Sequence, residues 1–449
     1  MSLQLPRRKK LHLVQLVAVI FLTVSGGPYG IEPLLTYAGH NGALLLLLIT
    51  PLLWDIPTIF TVLELNGMMP VTGGYYQWVK KALGLRFAFY EGWWTWLYTF
   101  VDLAIYPVLF VEYASFLFPQ IEPYKIPICL VIVWGGALLN ILGILKVGKA
   151  SMILGVAVLT PFLILFITAT THLNMHLNFS SLSLQGIPFS SLGLAIYTVM
   201  WNFIGWDNVM TYAEEVDKPV KSYMKAAVIV FLIIFCVYFM SIFIAQSSGI
   251  DLAVLNDQGF PAVGSIVGGP WLGSLIAAGG MASALGLFSA VLLSVSRVPQ
   301  VMSDDKLLPA KLHKLHPKYK TPYISIIACA VVVSGMILWT FADLLVIDLT
   351  LYGAGLFLEF VALIVLRIKL PNAHRPFKIK LNVFGLCLMT LIPFSVYAIA
   401  LAGALSEEGG SLKPALFAIG ALISAEVIWQ IIVWQRPHIK AVPVVIEEL

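Results

Sequence analysis

The chain has 449 residues, of which 59% are hydrophobic and only 11% charged, with a formal net charge of +4 and a mean hydropathy of +0.92. Soluble globular domains hold about 45–50% apolar and about 25% charged residues, so this composition excludes a soluble enzyme, a nucleic-acid binder and a disordered scaffold. The four cysteines, Cys129, Cys236, Cys329 and Cys387, lie inside apolar runs, where a disulfide framework is not expected. The eight histidines fall at segment ends or in loops, which leaves no intramembrane metal or histidine cluster. A polytopic membrane protein without cofactor or catalytic residues is expected.

A bilayer core of about 30 Å needs about 20 apolar residues per helix. Runs of that length centre on 11–38, 42–65, 88–117, 126–145, 151–171, 188–212, 222–247, 263–296, 322–340, 343–366, 382–405 and 414–435. Arg7, Arg8, Lys9 and Lys10 precede a first run too long for a signal-peptide core. With that cluster in the cytoplasm, all of the 27 Lys and Arg except Lys125 and Lys413 fall on one side. A wrong helix count would scramble that asymmetry. The expectation is an all-α membrane protein of twelve transmembrane helices, with cytoplasmic tails 1–10 and 436–449 and an outer loop 172–187. The short tails suggest a bacterial inner membrane, where the sequon Asn178-Phe179-Ser180 would have no meaning.

Taken in chain order, the first span is interrupted at Ser25-Gly26-Gly27-Pro28-Tyr29-Gly30, because three glycines and a proline cannot hold a regular helix. Glu32 follows that break; Asp55 and Glu64 lie in span two. Trp94, Tyr98, Asp102 and Tyr106 repeat at i+4 and give span three one aromatic and acidic face. Span six is interrupted at Trp201-Asn202-Phe203-Ile204-Gly205-Trp206-Asp207-Asn208. In span ten, Asp348, Tyr352, Gly355 and Glu359 share a face.

Broken spans at corresponding places in two halves point to an inverted-repeat transporter with its site at the midplane. Spans one and six are five apart, which suits a five-plus-five repeat, 11–171 and 188–366, followed by two extra helices in 367–435. Backbone N–H groups after a break attract a carboxylate, and carbonyls before it attract a cation. The spans hold acids but no mid-span Lys or Arg. Each acid must then be protonated, face water or meet a mobile cation: a proton, sodium or an amine. Aromatic neighbours suit an ammonium. A channel would be built from repeated like groups, a sensor from a large soluble domain, and an intramembrane enzyme from a nucleophile–base pair; none is present in the sequence.

Several motifs resemble the amino acid–polyamine–organocation superfamily, above all its plant-type polyamine uptake and L-type amino acid transporters. Ser25 to Glu32 looks like that group's span-one motif, and Trp54 to Glu64 with Pro70-Val71-Thr72-Gly73-Gly74-Tyr75 its span-two signature. Asp102-Leu103-Ala104-Ile105-Tyr106-Pro107-Val108-Leu109-Phe110 resembles its third span, and Arg367 to Lys378 its loop after span ten. Trp201-Asn202-Phe203-Ile204-Gly205 is similar to the span-six motif of the bacterial arginine–agmatine exchanger.

The resemblance implies alternating access and transport of amino acids or polyamines. Trp201 would be the aromatic gate and Asp207 the acidic position after the break. The substrate would meet Ser25, Gly26, Gly27, Pro28, Tyr29 and Gly30, with Asn202, Ile204 and Gly205 across from them and Tyr98 and Asp102 beside them. Glu32, Glu64, Asp102 and Asp207 would be the coupling candidates. Two departures bear on mechanism. Span five, Ile153 to Pro161, lacks the lysine that replaces sodium in some relatives, and span eight reads Leu287-Phe288-Ser289-Ala290-Val291 where the plant group has an acid. One acid fewer favours a substrate with a single amine. Proton-coupled symport is the expected mode; exchange, and sodium coupling through Ser294 and Ser296, are the alternatives.

Overall fold

The computed structural model describes residues 10–173, 182–338, 341–406 and 413–437. Arg7 to Lys9, the Asn178 sequon and the C-terminal tail beyond 437 lie outside these. Among the described residues every named element is helical, and β-pairing is confined to isolated bridges of Leu11 with Val216 and Thr72 with Tyr212.

The first half runs α1 (Leu13–Val24), α2 (Pro33–Met68), α3 (Gly74–Leu83), α4 (Leu85–Leu117), α5 (Lys125–Ile141) and α6 (Ile144–His172). The second runs α7 (Phe189–Trp201), α8 (Pro219–Ser247), α9 (Leu252–Gln258), α10 (Phe260–Gly268), α11 (Pro270–Val295), α12 (Arg297–Asp304), α13 (Tyr323–Met336) and α14 (Phe341–Lys369); α15 (Val383–Leu405) and α16 (Lys413–Gln435) follow. Nine stretches among the described residues are long and apolar enough to cross a membrane, and α1, α7 and α13 are shorter apolar helices. This is a multi-pass membrane protein.

The boundaries depart from the hydropathy reading in three places. The expected loop 66–87 contains α3, an amphipathic helix whose apolar face, Tyr75, Tyr76 and Trp78, is wholly buried. The expected run 263–296 is two helices, because Gly269 and Pro270 end α10 and start α11. The last turn of the first expected span and the second span form one element, bent at Gly39. Hydropathy locates greasy segments but does not see such turns.

Burial separates centre from rim. The apolar stretches of α4 and of α11 with α12 are 72% buried, while those of α15 and α16 are 17% and 22% buried and leave most of their apolar surface for lipid. At one rim contact α7 and α15 touch backbone to backbone: a Cβ on Gly193 would come within 2.5 Å of the Ala404 nitrogen and 2.6 Å of Gly403 Cα.

Candidate functional site

The two interruptions cross at the centre of the bundle. α1 stops at Val24, and Gly26 and Gly30 follow with φ of +66° and +89°, a region L side chains rarely adopt. Space forbids a side chain at both: a Cβ on Gly26 would lie 2.5 Å from Leu287 Cδ1, and one on Gly30 2.8 Å from Trp201 Cζ3. α7 ends at Trp201, and Gly205 turns the chain so closely under Thr23 that its Cβ would be 3.2 Å from that carbonyl oxygen. Asn202 ties the breaks together, donating from Nδ2 to the Gly30 carbonyl at 3.3 Å and the Thr198 carbonyl at 2.8 Å.

Between them lies a small cavity lined by Ser25, Asp102, Tyr106, Trp201, Ile204 and Leu287, among others. It leaves about 20 Å³ of free space, enough for about one water molecule, so this is a closed conformation. Asp102 is its one lining acid, buried, with the Tyr106 hydroxyl donating to Oδ1 at 2.6 Å and Oδ2 at 2.7 Å. Asp348 of α14 stands near Asp102 and beside Trp201. Four of the basic residues are engaged with other acids: Lys80 with Asp305, Arg297 with Glu215, and Arg367 and Arg375 with Glu64.

A wider vestibule of about 560 Å³ opens toward the end bearing Pro119 and Asp257, walled by Glu32, Glu112 and Tyr113 among others. Gly30 lines this vestibule, and Trp201, packed on Gly30, lines the cavity. The indole therefore separates the two spaces.

Of the sequence candidates, Ser25, Asp102, Trp201, Asn202 and Ile204 line the cavity. Asp207 and Tyr98 lie one layer away: Tyr352 donates to Asp207 Oδ1 at 2.9 Å and packs edge-on against Tyr98, which accepts from Asn208 Nδ2 at 2.5 Å. Pro28 is absent from the lining. Tyr29 points away, its hydroxyl donating to the Ile276 carbonyl at 2.7 Å. The backbone cradle expected around Ser25 to Gly30 is internally satisfied in this conformation. The N–H groups of Gly26, Gly27, Tyr29 and Gly30 donate to Phe21 O, Ser25 Oγ, Gly27 O and Glu32 Oε2.

Glu64 corrects the reading of acids without fixed cations. It is fully buried, yet Arg367 pairs with both its oxygens, Arg375 Nε stands 3.2 Å from Oε1, and the Ile379 N–H donates to Oε2 at 2.8 Å. Those arginines come from beyond span ten, and hydropathy within span two does not report them. Thr23, Val24 and Leu287 in the lining were not anticipated as site residues; Tyr106 had a signal in its i+4 spacing from Asp102 and Leu287 one in the span-eight stretch that lacks an acid, but Thr23 and Val24 had none.

The family model described as amino acid permease matches residues 11–425. A probable polyamine transporter of Arabidopsis thaliana is 35% identical over 86% of this chain and 80% of its own length. The polyamine transporter RMV1 of the same plant is 32% identical over 92% and 84%, and the polyamine transporter PUT1 of Oryza sativa subsp. japonica 31% over 92% and 76%. These three are plant proteins and lend no support to a bacterial membrane. A chain with two crossed helix breaks, a buried acid between them and a family match over nearly its whole length is a transporter rather than an enzyme, and it belongs to the amino acid permease family.

Proposed function

We propose that this permease carries an amino acid or a small amine across the membrane by alternating access, coupled to protons. The observation that carries the reading is the buried Asp102, exposed to a cavity between two broken helices and separated from an open vestibule by Trp201. A carboxylate without a fixed cation suits an ammonium, and Trp201 and Tyr106 supply aromatic faces for it. Leu287 occupies the wall where a second acid would favour a polycation, so a substrate with one amine at this position fits best. The plant relatives named for polyamines support the amine class.

In this reading Trp201 is the gate; Ser25, Asn202 and Ile204 contact the substrate, and Gly26, Gly27, Pro28, Gly30 and Gly205 shape the breaks that admit it. Tyr29 braces the first break from behind. Asp102 and Asp207 are the coupling acids, while Glu32 closes the vestibule floor and Glu64 holds the basic end. Twelve helices arranged as a five-plus-five repeat, 11–171 and 188–366, with 367–435 appended, accommodate the nine long and three short apolar helices. The basic loops and both termini then face the cytoplasm and the vestibule faces outward.

The test is uptake of labelled arginine, leucine and putrescine into proteoliposomes, with and without an inward proton gradient. Gradient-driven accumulation of one of them is expected. Uptake only into preloaded vesicles would replace symport by exchange, and accumulation driven by sodium would replace the proton.

A further inference from the structure

The seam between α4 and α14 holds acids at two depths. Asp102 and Asp348 face each other at the level of the crossed breaks. Eleven residues along each helix, about 16 Å by the helical rise, stand Glu91 on α4 and Glu359 on α14. The helices run oppositely, so both displacements lead toward the end carrying the basic loops, and the second pair faces as the first does. The seam is tight there: a Cβ on Gly355 would lie 2.9 Å from Glu91 Oε1 and 3.5 Å from Thr95 Oγ1.

Glu91 and Glu359 are 1% and 0% exposed. Both Glu359 oxygens and Glu91 Oε2 lack a hydrogen bond of normal geometry. Glu359 is within Coulombic reach of Asp207 and Glu91, and no Lys or Arg is among the groups acting on either glutamate. The other polar groups around this pair are Thr95 on α4 beside Glu91, Tyr352 on α14 beside Glu359 and Asp207, and Tyr75 on α3, with Tyr98 next to Asp207 and Tyr352. Tyr75 is the independent observation. It is wholly buried, its hydroxyl has Thr95 as its neighbouring partner but no hydrogen bond of normal geometry, and the charges around it are Asp207, Glu91 and Glu359.

Three carboxyls so placed, with no cation from the protein, cannot all be ionised together. The balancing charge taken up here is a proton, which needs only a carboxyl oxygen with no hydrogen bond of normal geometry, and both Glu359 oxygens and Glu91 Oε2 are such atoms. Tyr352, bonded to Asp207 and adjoining the Gly205 N–H at 3.4 Å, connects this layer to the helix-six break. We propose that Glu91 and Glu359, with Asp207 as their link to the cavity, form a proton-binding site that takes up and returns the coupling proton on the cytoplasmic side of the substrate. The proton would pass from Asp207 to Glu359 or Glu91 as the substrate leaves, so that only its position changes and no covalent bond to a heavy atom other than oxygen is made. The proposal rests on the transport reading above and extends it to residues outside the cavity.

The experiment uses the full chain in proteoliposomes, with whichever of labelled arginine, leucine or putrescine the wild type moves. Glu91→Gln and Glu359→Gln are measured for exchange into preloaded vesicles and for accumulation driven by a proton gradient. Exchange within about twofold of wild type, with accumulation lowered about tenfold or more and its pH dependence flattened, is the expected result for loss of a coupling acid. Accumulation at the wild-type level overturns the site, and so does parallel loss of exchange in protein that keeps its thermal transition. Where a glutamine variant does not fold, the aspartate variant keeps the carboxyl and is expected to shift the pH of half-maximal accumulation; an unshifted profile overturns the proposal. A wild type that exchanges substrate but never responds to protons overturns the proton site and leaves transport standing. A wild type that moves no substrate overturns the transport reading itself.

Discussion

At the basic end of the molecule Glu64, Glu215 and Asp305 each meet a fixed cation, whereas around the crossed breaks Asp102, Asp207 and Asp348 meet hydroxyls, an indole and one another. Both sets are buried or largely so, and a sequence reading gives Glu64 the same standing as Asp102, an acid in an apolar run. The difference lies in what completes the charge. A carboxylate clasped by Arg367 and Arg375 holds two segments in one arrangement, while a carboxylate left to Tyr106 keeps a place for something that arrives and departs. Removing an acid from the first set should cost stability; removing one from the second should cost transport.

The sharpest way to break that contrast is Glu64→Ala. It would leave two buried guanidinium groups without their partner, a loss of about 3–5 kcal/mol, read as a markedly lower melting temperature in detergent. Substrate affinity of the surviving folded fraction should be unchanged, and an affinity loss with normal melting would merge the two populations. Asp102→Asn comes next: melting close to wild type, because the amide still accepts from Tyr106, but uptake lowered on the order of 100-fold where a desolvated ammonium loses its counter-charge.

Trp201→Ala should lower uptake about tenfold, in line with roughly 1–2 kcal/mol of cation–π and packing contact, and Trp201→Phe should recover much of it. Equal damage from both would argue that the indole N–H, not the ring face, is what the gate uses. The smallest effect is expected at Lys80 and Asp305, whose side chains are 33% and 21% exposed. Asp305→Asn should change stability by about 1 kcal/mol or less, more weakly still at high salt.

Much of this architecture is legible before any coordinates. Ser25 to Gly30 and Trp201 to Asn208 announce their breaks through glycine, proline and amides, and the structure interrupts both helices there and brings the interruptions into contact. Asp102 and Tyr106 are legible from an i+4 step. What the sequence conceals is partnership across distance. Nothing near Glu64 indicates that Arg367, some 300 residues on, folds back to it, and nothing marks Tyr29 as a brace. Gly355 reads as a packing glycine, with no hint that Glu91 is what it makes room for. Local periodicity reports which face a side chain occupies; it does not report what the facing element brings.

The backbone contact of Gly193 with Gly403 and Ala404 bears on how the gate can work. Two helices that touch main chain to main chain have no side chains between them to slide or repack, so α7 and α15 are expected to move together in this region. Trp201 sits at the end of α7. In the proposed gating the indole uncovers the cavity by turning about its own side-chain bonds, by bending at Asn202 to Gly205, or by travelling together with α15. A helix that leaves most of its apolar surface for lipid is thus joined directly to the one that ends at Trp201.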